Sequence, residues 1–279
     1  MERTPALSEP APPSTGDCHF LRRRPPPALA GDVVDICDYR ETRRAHFRQR
    51  EAASLVVPLI VSFGDPFVIG LGRTAETHER YGTFAAGLFA GPVYIDSFGA
   101  SACVQVNFTP RGARRFFGMP LSELTARMIP LDTLLGADAE RLRERLALER
   151  APVRRLDIVA RFVAGRLAAA PPPCAAVGRA MAMVEFSRGR LPVGRIAAEI
   201  GWSRKHLNER FKAEIGLGPK AVARIVRLDA TMHAIDEAPV RWAEIADQGG
   251  YSDQAHFIRE CRTLTGISPA ALQHVGALG

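Results

Sequence analysis

The sequence predicts an α+β chain: an antiparallel β-sandwich or small barrel with trailing helices, then an all-α domain of two helix-turn-helix units joined by a long helix. Two observations carry this prediction. Residues 31–110 hold short β-rich runs broken by Gly, Pro and Asp, and one helical unit occurs twice near the C-terminus. The length of 279 residues exceeds what one core usually spans, and 47% hydrophobic content is enough for two cores.

The first 30 residues differ in composition from the rest of the chain. They contain seven prolines and few apolar residues, which predicts a disordered tail. The basic triplet at 22–24 is followed by prolines instead of an apolar segment, so we do not expect a signal peptide. No run of 18 apolar residues occurs, and the five cysteines form no C-x-x-C pair. We therefore expect no membrane contact and a cytoplasmic location.

A β-domain with trailing helices is predicted over residues 31–170. The expected strands lie in the runs 32–39, 54–63, 67–71, 84–98 and 103–108. From Gly112 the period becomes helical, with amphipathic faces that include Leu142, Leu146 and Leu156. The helix at 151–167 is a candidate dimer contact, and packing on its own barrel is an equal alternative. Three prolines at 171–173 mark a short linker over 171–175.

The repeated unit lies within residues 176–279. In the first copy, Ile196, Ala197 and Ile200 form one helical face, Gly201 stops the helix, and Ser203 is a candidate cap for the next helix. The second copy repeats the pattern at Ile245 and Ala246, Gly250, and Ser252 or Asp253. Each copy ends in Gly-x-x-Pro, at 216–219 and at 266–269. This spacing predicts helix, tight turn and helix, used twice.

The outward faces of the two second helices are polar. The first carries Arg204, Lys205, Asn208, Glu209 and Lys212, and the second carries Gln254, Ala255, Ile258, Arg259 and Arg262. Such a helix fits the major groove of DNA, where amide and guanidinium groups reach base edges. Between the copies, apolar residues from Val222 to Ile235 predict one long helix with Pro219 in its first turn.

Residues 176–279 resemble the DNA-binding domain of AraC/XylS-type bacterial transcription regulators. The resemblance lies in Ile196-Ala197, Gly201-Trp202-Ser203, Leu207, Arg210-Phe211, Gly216 with Pro219, Arg227-Leu228, Ile245-Ala246, Gly250-Tyr251, His256-Phe257, Arg259 and Gly266-Ile267-Ser268-Pro269. It implies double-stranded DNA as partner, with base contacts from Lys205, Asn208, Glu209, Gln254, Ala255, His256 and Arg259. Candidate phosphate contacts are Ser203, Arg204, Lys212 and Arg262. It also implies a contact with RNA polymerase if the protein activates transcription.

Two positions depart from the family pattern. Glu209 stands where the family often has a basic residue, so it either accepts a hydrogen bond from cytosine or weakens the first motif. Cys261 stands where Phe is usual, and a buried thiol is a better expectation for it than a redox sensor.

The β-domain resembles the cupin-like N-terminal domain of some AraC-type regulators, at 64–66, 110–114 and 118–121. That resemblance implies a small-molecule effector, a homodimer, or both. His46 and His78 are far apart and form no H-x-H pair, so we expect no metal site. Dinucleotide, P-loop and nucleophile-elbow motifs do not occur, so we expect no cofactor, no catalytic residue and no enzyme.

Charge says little about where DNA binds. The net charge is +7, and residues 176–279 hold 14 basic against 11 acidic residues, so the surplus is not concentrated there. The chain's three lysines, however, are Lys205, Lys212 and Lys220, all in or just after the first motif. We interpret the chain as a sequence-specific transcription regulator that reads two successive major-groove segments. The alternatives are an architectural DNA binder and a ligand-binding or enzymatic barrel attached to DNA.

Overall fold

The computed structural model describes residues 18–42, 45–235 and 241–276, without the side chains of 273–276. The strands are β1 (Cys18–Arg23), β2 (Val33–Glu41), β3 (Phe47–Glu51), β4 (Val57–Ser62), β5 (Phe67–Leu71), β6 (Arg80–Tyr81), β7 (Phe84–Ala86), β8 (Val93–Ser97), β9 (Ala102–Phe108) and β10 (Met128–Pro130). The helices are α1 (Pro110–Phe117), α2 (Leu131–Leu135), α3 (Ala137–Leu148), α4 (Pro152–Ala168), α5 (Ala175–Phe186), α6 (Val193–Ile200), α7 (Arg204–Ile215), α8 (Pro219–His233), α9 (Trp242–Gln248), α10 (Gln254–Thr265) and α11 (Pro269–Gly276).

Two antiparallel sheets form the N-terminal domain. One has the strand order β1-β2-β9-β4-β7-β10, and the other has the order β3-β8-β5-β6. The period of two along β9 divides its side chains between two clusters: Val104 and Val106 join the core that includes the helices, whereas Cys103 packs with Ile69 of the second sheet. The predicted α+β fold, a sandwich with trailing helices before an all-α domain, is confirmed.

The predicted run 84–98 is two strands. Its ends form β7 and β8, which belong to different sheets, because Gly87 and Pro92 interrupt the ladder. At Gly87 a Cβ atom would lie 1.9 Å from the carbonyl oxygen of Leu124, so the chain must pass close to that backbone. Strand β3 was not predicted, because an edge strand with exposed Arg48 and Arg50 lacks an apolar alternation.

The prediction of a disordered tail is wrong for residues 18–30, and residues 1–17 lie outside the described part of the chain. Strand β1 pairs with β2 from Cys18 opposite Glu41 to Arg23 opposite Ile36. The basic triplet contributes ion pairs: Arg22 lies 3.8 Å from Asp35, and Arg23 lies 2.6 Å from Asp157 of α4. Backbone pairing with β2 therefore orders a segment whose composition is typical of a tail.

Helix α4, the candidate dimer contact, packs on its own domain. Its face with Leu156, Val159 and Val163 is fully buried in the core that includes β2 and β9. Arg155 of the same helix is 3% exposed and donates from Nη2 to Asp38 Oδ1 at 2.8 Å. The apolar face of α4 is therefore used within the chain. A homodimer stays a prediction.

The apolar core continues from one domain into the other. The chain between α4 and α5, from 169 to 174, has no helix or strand. Nevertheless Phe116 and Leu121 of the first domain belong to the same buried cluster as Phe211 and Ile215 of α7. The two domains are packed against each other.

Candidate nucleic-acid interface

Helices α6 and α7 form the first predicted helix-turn-helix unit. Gly201 has φ of 75° and ends α6, a conformation that glycine adopts without strain. The Ser203 hydroxyl accepts a hydrogen bond from the backbone N–H of His206 at 3.1 Å, so it caps α7 as predicted. Ile196 and Phe211 are fully buried between the two helices and the rest of the domain.

The predicted DNA-contacting side chains of α7 do not all lie in the same environment. Arg204, Lys205, Glu209 and Lys212 are exposed, as is the cap Ser203. Asn208 is half-buried against the start of α8, where a Cβ atom on Gly218 would lie 2.7 Å from Asn208 Oδ1. The amide oxygen of Asn208 is thus held beside the protein backbone, at the edge of the polar face.

Helices α9 and α10 form the second unit, which has the same kind of turn glycine and side-chain helix cap as the first. Gly250 has φ of 75° in the turn. Of the two predicted caps, Asp253 is the one observed: its carboxylate accepts from the backbone N–H of His256 at 2.6 Å. This hydrogen bond lowers the pKa of Asp253. Phe257 and Cys261 are fully buried on the opposite face of α10.

The exposed face of α10 carries Gln254, Ala255, Arg259 and Arg262. His256 differs from these residues because it is partly buried. Its Nδ1 lies 3.1 Å from Ser252 Oγ, and its Nε2 lies 3.9 Å from Glu260 Oε2. Both ring nitrogens therefore face neighbouring side chains of the protein.

A buried carboxylate joins α10 to the connecting helix α8. Glu260, 6% exposed, accepts from Arg224 Nε at 2.9 Å and from Arg227 Nη2 at 2.7 Å. The Arg227 guanidinium also lies 4.6 Å from the centre of the Tyr251 ring. Burial lowers the pKa of Arg227, but the hydrogen bond from its guanidinium to Glu260, the charge of Glu260 and the interaction with Tyr251 together raise the pKa above its ordinary value.

This network is not among the features predicted from the sequence, although the sequence contains a signal for it. Glu260 lies three residues after Phe257 and four before Leu264, which places it on the apolar face of α10. A carboxylate at such a position needs a cationic partner. The helix α8 supplies two, and the network fixes the second unit to the connecting helix.

The β-domain contacts the C-terminal ends of both α7 and α10. At the first, the Thr125 hydroxyl donates to the carbonyl of Gly216 at 2.5 Å, and Arg114 Nε lies 3.5 Å from Glu214 Oε1. At the second, the backbone N–H of Ala53 donates to the carbonyl of Leu264 at 2.8 Å. The next glycine, Gly266, lies against the Tyr94 hydroxyl.

These contacts involve the glycine of each Gly-x-x-Pro or its close neighbours. Gly216 has φ of 97° and Gly266 has φ of 80°, so each ends its helix in a left-handed conformation. The repeat itself was visible in the sequence, but its partners across the domain boundary were not. The repeated turns serve as the docking points of the β-domain.

Cys261 is a buried thiol, the expectation favoured over a redox sensor. Its Sγ donates toward the carbonyl of Ile267 at 3.6 Å, and burial raises its pKa. The protonated thiol is a poor nucleophile and a poor redox centre.

His46 and His78 take part in separate pairs. His46 Nε2 lies 2.6 Å from Asp96, and His78 Nδ1 lies 3.5 Å from Glu76. Within 18–42, 45–235 and 241–276, no three His, Cys, Asp or Glu side chains are grouped so as to hold a metal ion. No helix in the same ranges has the length and apolarity to cross a membrane.

Two family models match the chain. Residues 196–274 match a helix-turn-helix domain, and residues 21–130 match a domain of unknown function (DUF6597). The helix-turn-helix match covers both units, from Ile196 in α6 into α11. No curated protein sequence matches the chain.

Several solved structures are similar to the chain at low identity. The C-terminal domain of AraT, a response regulator from Geobacillus stearothermophilus, is 22% identical with a TM-score of 0.33, covering 36% of this chain and 84% of that one. ToxT from Vibrio cholerae is 9% identical with a TM-score of 0.43, covering 91% and 98%. The regulator CdpR from Pseudomonas aeruginosa is 18% identical with a TM-score of 0.32, covering 62% and 46%. These values are too low to bear on function.

Proposed function

The chain belongs to the AraC/XylS-type transcription regulators through its helix-turn-helix domain at residues 196–274, and we propose that it reads two successive major-groove segments of a promoter. A DNA-binding regulator of this family is not an enzyme, as the sequence predicts. A cytoplasmic location, where promoter DNA is accessible, is part of the same proposal.

The observation that carries the proposal is that α7 and α10 present equivalent exposed faces. Each helix begins at a side-chain cap, with Arg204 and Lys205 following Ser203, and Gln254 and Ala255 following Asp253. The N-terminal part of a recognition helix is the part that reaches base edges. Two such helices on one connecting helix suit major-groove segments about 34 Å apart.

We assign base-reading roles to the residues named from the family resemblance. Arg259 is suited to guanine, Gln254 to adenine, and the methyl group of Ala255 to the thymine methyl. Lys205 and Glu209 are the equivalent exposed residues of the first unit, with Glu209 placed to accept from cytosine. Asn208 and His256 are the weakest of the assigned base contacts, because both are partly buried.

Phosphate contacts are assigned to Ser203, Arg204, Lys212 and Arg262, which are exposed beside the base-reading residues. These contacts are independent of sequence and make binding fall with salt concentration. They fix the register in which the base-reading side chains meet the DNA.

The β-domain is proposed to regulate the affinity for DNA through its contacts with the ends of α7 and α10. Gly216 of the first helix-turn-helix unit and Leu264 of the second are hydrogen-bonded to the β-domain. If a small-molecule effector or a homodimer contact moves the β-domain, both units therefore change position. RNA polymerase is the expected partner if the protein activates transcription.

The test is equilibrium binding of the full chain to DNA upstream of its own gene and to a scrambled duplex, across a salt series. We expect a preference of about 10³ or more for the upstream DNA at physiological salt. Arg259→Ala should lower affinity for that DNA by about 1–3 kcal/mol and relax discrimination at one base pair. Lys212→Ala should weaken both duplexes alike.

Equal affinity for the two duplexes contradicts the proposal and favours an architectural DNA binder. Equal losses on both duplexes for Arg259→Ala contradict a base-reading role for that residue. Turnover of a small molecule by the full chain is the result expected of the enzymatic alternative.

A further inference from the structure

An open groove of about 800 Å³ lies between the two helix-turn-helix units. Its walls are the segment 189–194, which leads into α6, and parts of α8 and α10. Its cationic side chains are Arg190, Arg204, Lys220, Arg224, Arg227 and Arg259. The single acidic side chain in its wall is Glu260. Arg204 and Arg259 are already assigned to DNA above, whereas Arg190, Lys220, Arg224 and Arg227 have no role in those assignments.

Glu260 does not neutralise the groove. Its carboxylate is held by Arg224 and Arg227, and it is 6% exposed. Lys220 and Arg190 are exposed, and no carboxylate of the described chain lies within 4 Å of either basic group. The groove therefore presents uncompensated positive charge to solvent, which attracts a polyanion.

The first turn of α6 also faces this groove. Its N-cap residue is Pro192, which offers no side-chain acceptor to the backbone N–H groups of Val193 and Gly194 at the start of that turn. Gly194 has no side chain, and a Cβ atom there would lie 2.5 Å from Arg204 Nη2. The guanidinium and the helix end thus occupy the same wall, an arrangement suited to phosphate oxygens.

The groove is placed where duplex DNA must pass. Two successive major-groove segments on one face of B-DNA are separated by a minor groove, with a phosphate strand on each side. Arg204 of the first unit and Arg259 of the second both line the groove, so it lies between the two reading faces. DNA that enters both units brings its central phosphates to this wall.

We propose that the groove binds the sugar-phosphate backbone that borders the minor groove between the two segments. Lys220 and Arg190 contact phosphate oxygens there, and Glu260 keeps Arg224 and Arg227 in place. The inference rests on the proposed DNA-binding function. It adds a third DNA-contact region between the two helix-turn-helix units, and this region is independent of base sequence.

The first test is the salt dependence of DNA binding by the full chain, with Lys220→Gln as the variant. Losing one phosphate contact should reduce the slope of log K against log salt by about 0.9 and lower affinity about 5-fold at 0.15 M salt. The loss should be equal on upstream and scrambled duplexes. Lys220→Arg should restore the slope, and Arg161→Gln, a neutralised exposed cation on α4, should leave it unchanged.

The second test neutralises the DNA instead of the protein. Methylphosphonate linkages in the central segment should weaken binding of the wild-type chain, and should weaken the Lys220→Gln variant less. The same linkages outside the two reading segments should have no effect on either protein.

The inference is overturned if Lys220→Gln keeps the wild-type salt slope, or if central methylphosphonates leave affinity unchanged. The proposed function fails separately if the wild-type chain shows no preference between duplexes while Lys220→Gln still lowers the slope. A clear preference with an unchanged slope leaves the function standing and removes the groove from it.

Discussion

The substitution Glu260→Gln tests whether the buried carboxylate fixes the second helix-turn-helix unit to α8. The wild-type carboxylate accepts hydrogen bonds at 2.9 Å from Arg224 and at 2.7 Å from Arg227. Glutamine has nearly the same shape, but its amide has one acceptor oxygen and no charge. One of the two arginines therefore loses its partner, and the NH₂ group faces a cation.

The magnitude follows from the exposure of the partners. A charge-assisted hydrogen bond contributes about 1.5–3 kcal/mol. The Arg224 side chain is 31% exposed and regains part of this from water, whereas Arg227 is 18% exposed. We expect the free energy of unfolding of the second unit to fall by about 2 kcal/mol, less than the roughly 3–5 kcal/mol typical of a fully buried pair.

Urea denaturation followed by tryptophan fluorescence measures this effect. Trp242 packs on Phe257 with ring centres 6.1 Å apart, so it reports on the second unit, and Trp202→Phe removes the signal of the first. Glu244→Gln is the matched control, because its carboxylate pairs with Arg241 on the surface. The control should change stability by less than about 0.5 kcal/mol.

Equal midpoints for Glu260→Gln and the wild-type chain refute the reasoning, because the network then contributes nothing to stability. A loss no greater than that of Glu244→Gln does the same.

Three further predictions concern a helix cap, the domain contact and the half-buried carboxyl of Glu51. Asp253→Ala removes the cap of α10 and should lower stability by about 1 kcal/mol in urea denaturation, whereas Asp253→Asn, which keeps an acceptor, should lose less. Thr125→Val removes the hydrogen bond to Gly216 and should speed limited proteolysis between the domains, while Thr133→Val at an exposed position of α2 should not; equal rates for both contradict the docking role. Burial raises the pKa of Glu51 from 4.5 to about 7, so the folded chain holds this proton more tightly, and stability should fall as pH rises from about 4.5 through 7. In a pH series of denaturation, Glu51→Gln should flatten that fall, and an unchanged profile counts against the burial of the carboxyl.

The repeat predicted the two helix-turn-helix units well because their signals are local. Gly201 and Gly250 end one helix, and Ser203 and Asp253 cap the next, all within a few residues of sequence. Strand β5 lies over 67–71 as predicted, because turn residues bound its apolar run on both sides.

The remaining features depend on partners distant in the sequence. Strand β1 is ordered by pairing with β2, and its own composition indicates a tail. Glu214 and Glu260 carry acidic charges on apolar helical faces, and their arginine partners lie on other helices. The docking of the β-domain on Gly216 and Leu264 likewise joins segments that no local pattern relates.

Selection of duplexes from a random library with the full chain shows whether the protein reads two segments of DNA. We expect an enriched motif with two conserved halves whose centres lie about 10 base pairs apart, one for α7 and one for α10. Arg259→Ala should relax one position in one half only. Recovery of a single short half, or of no motif, contradicts the claim.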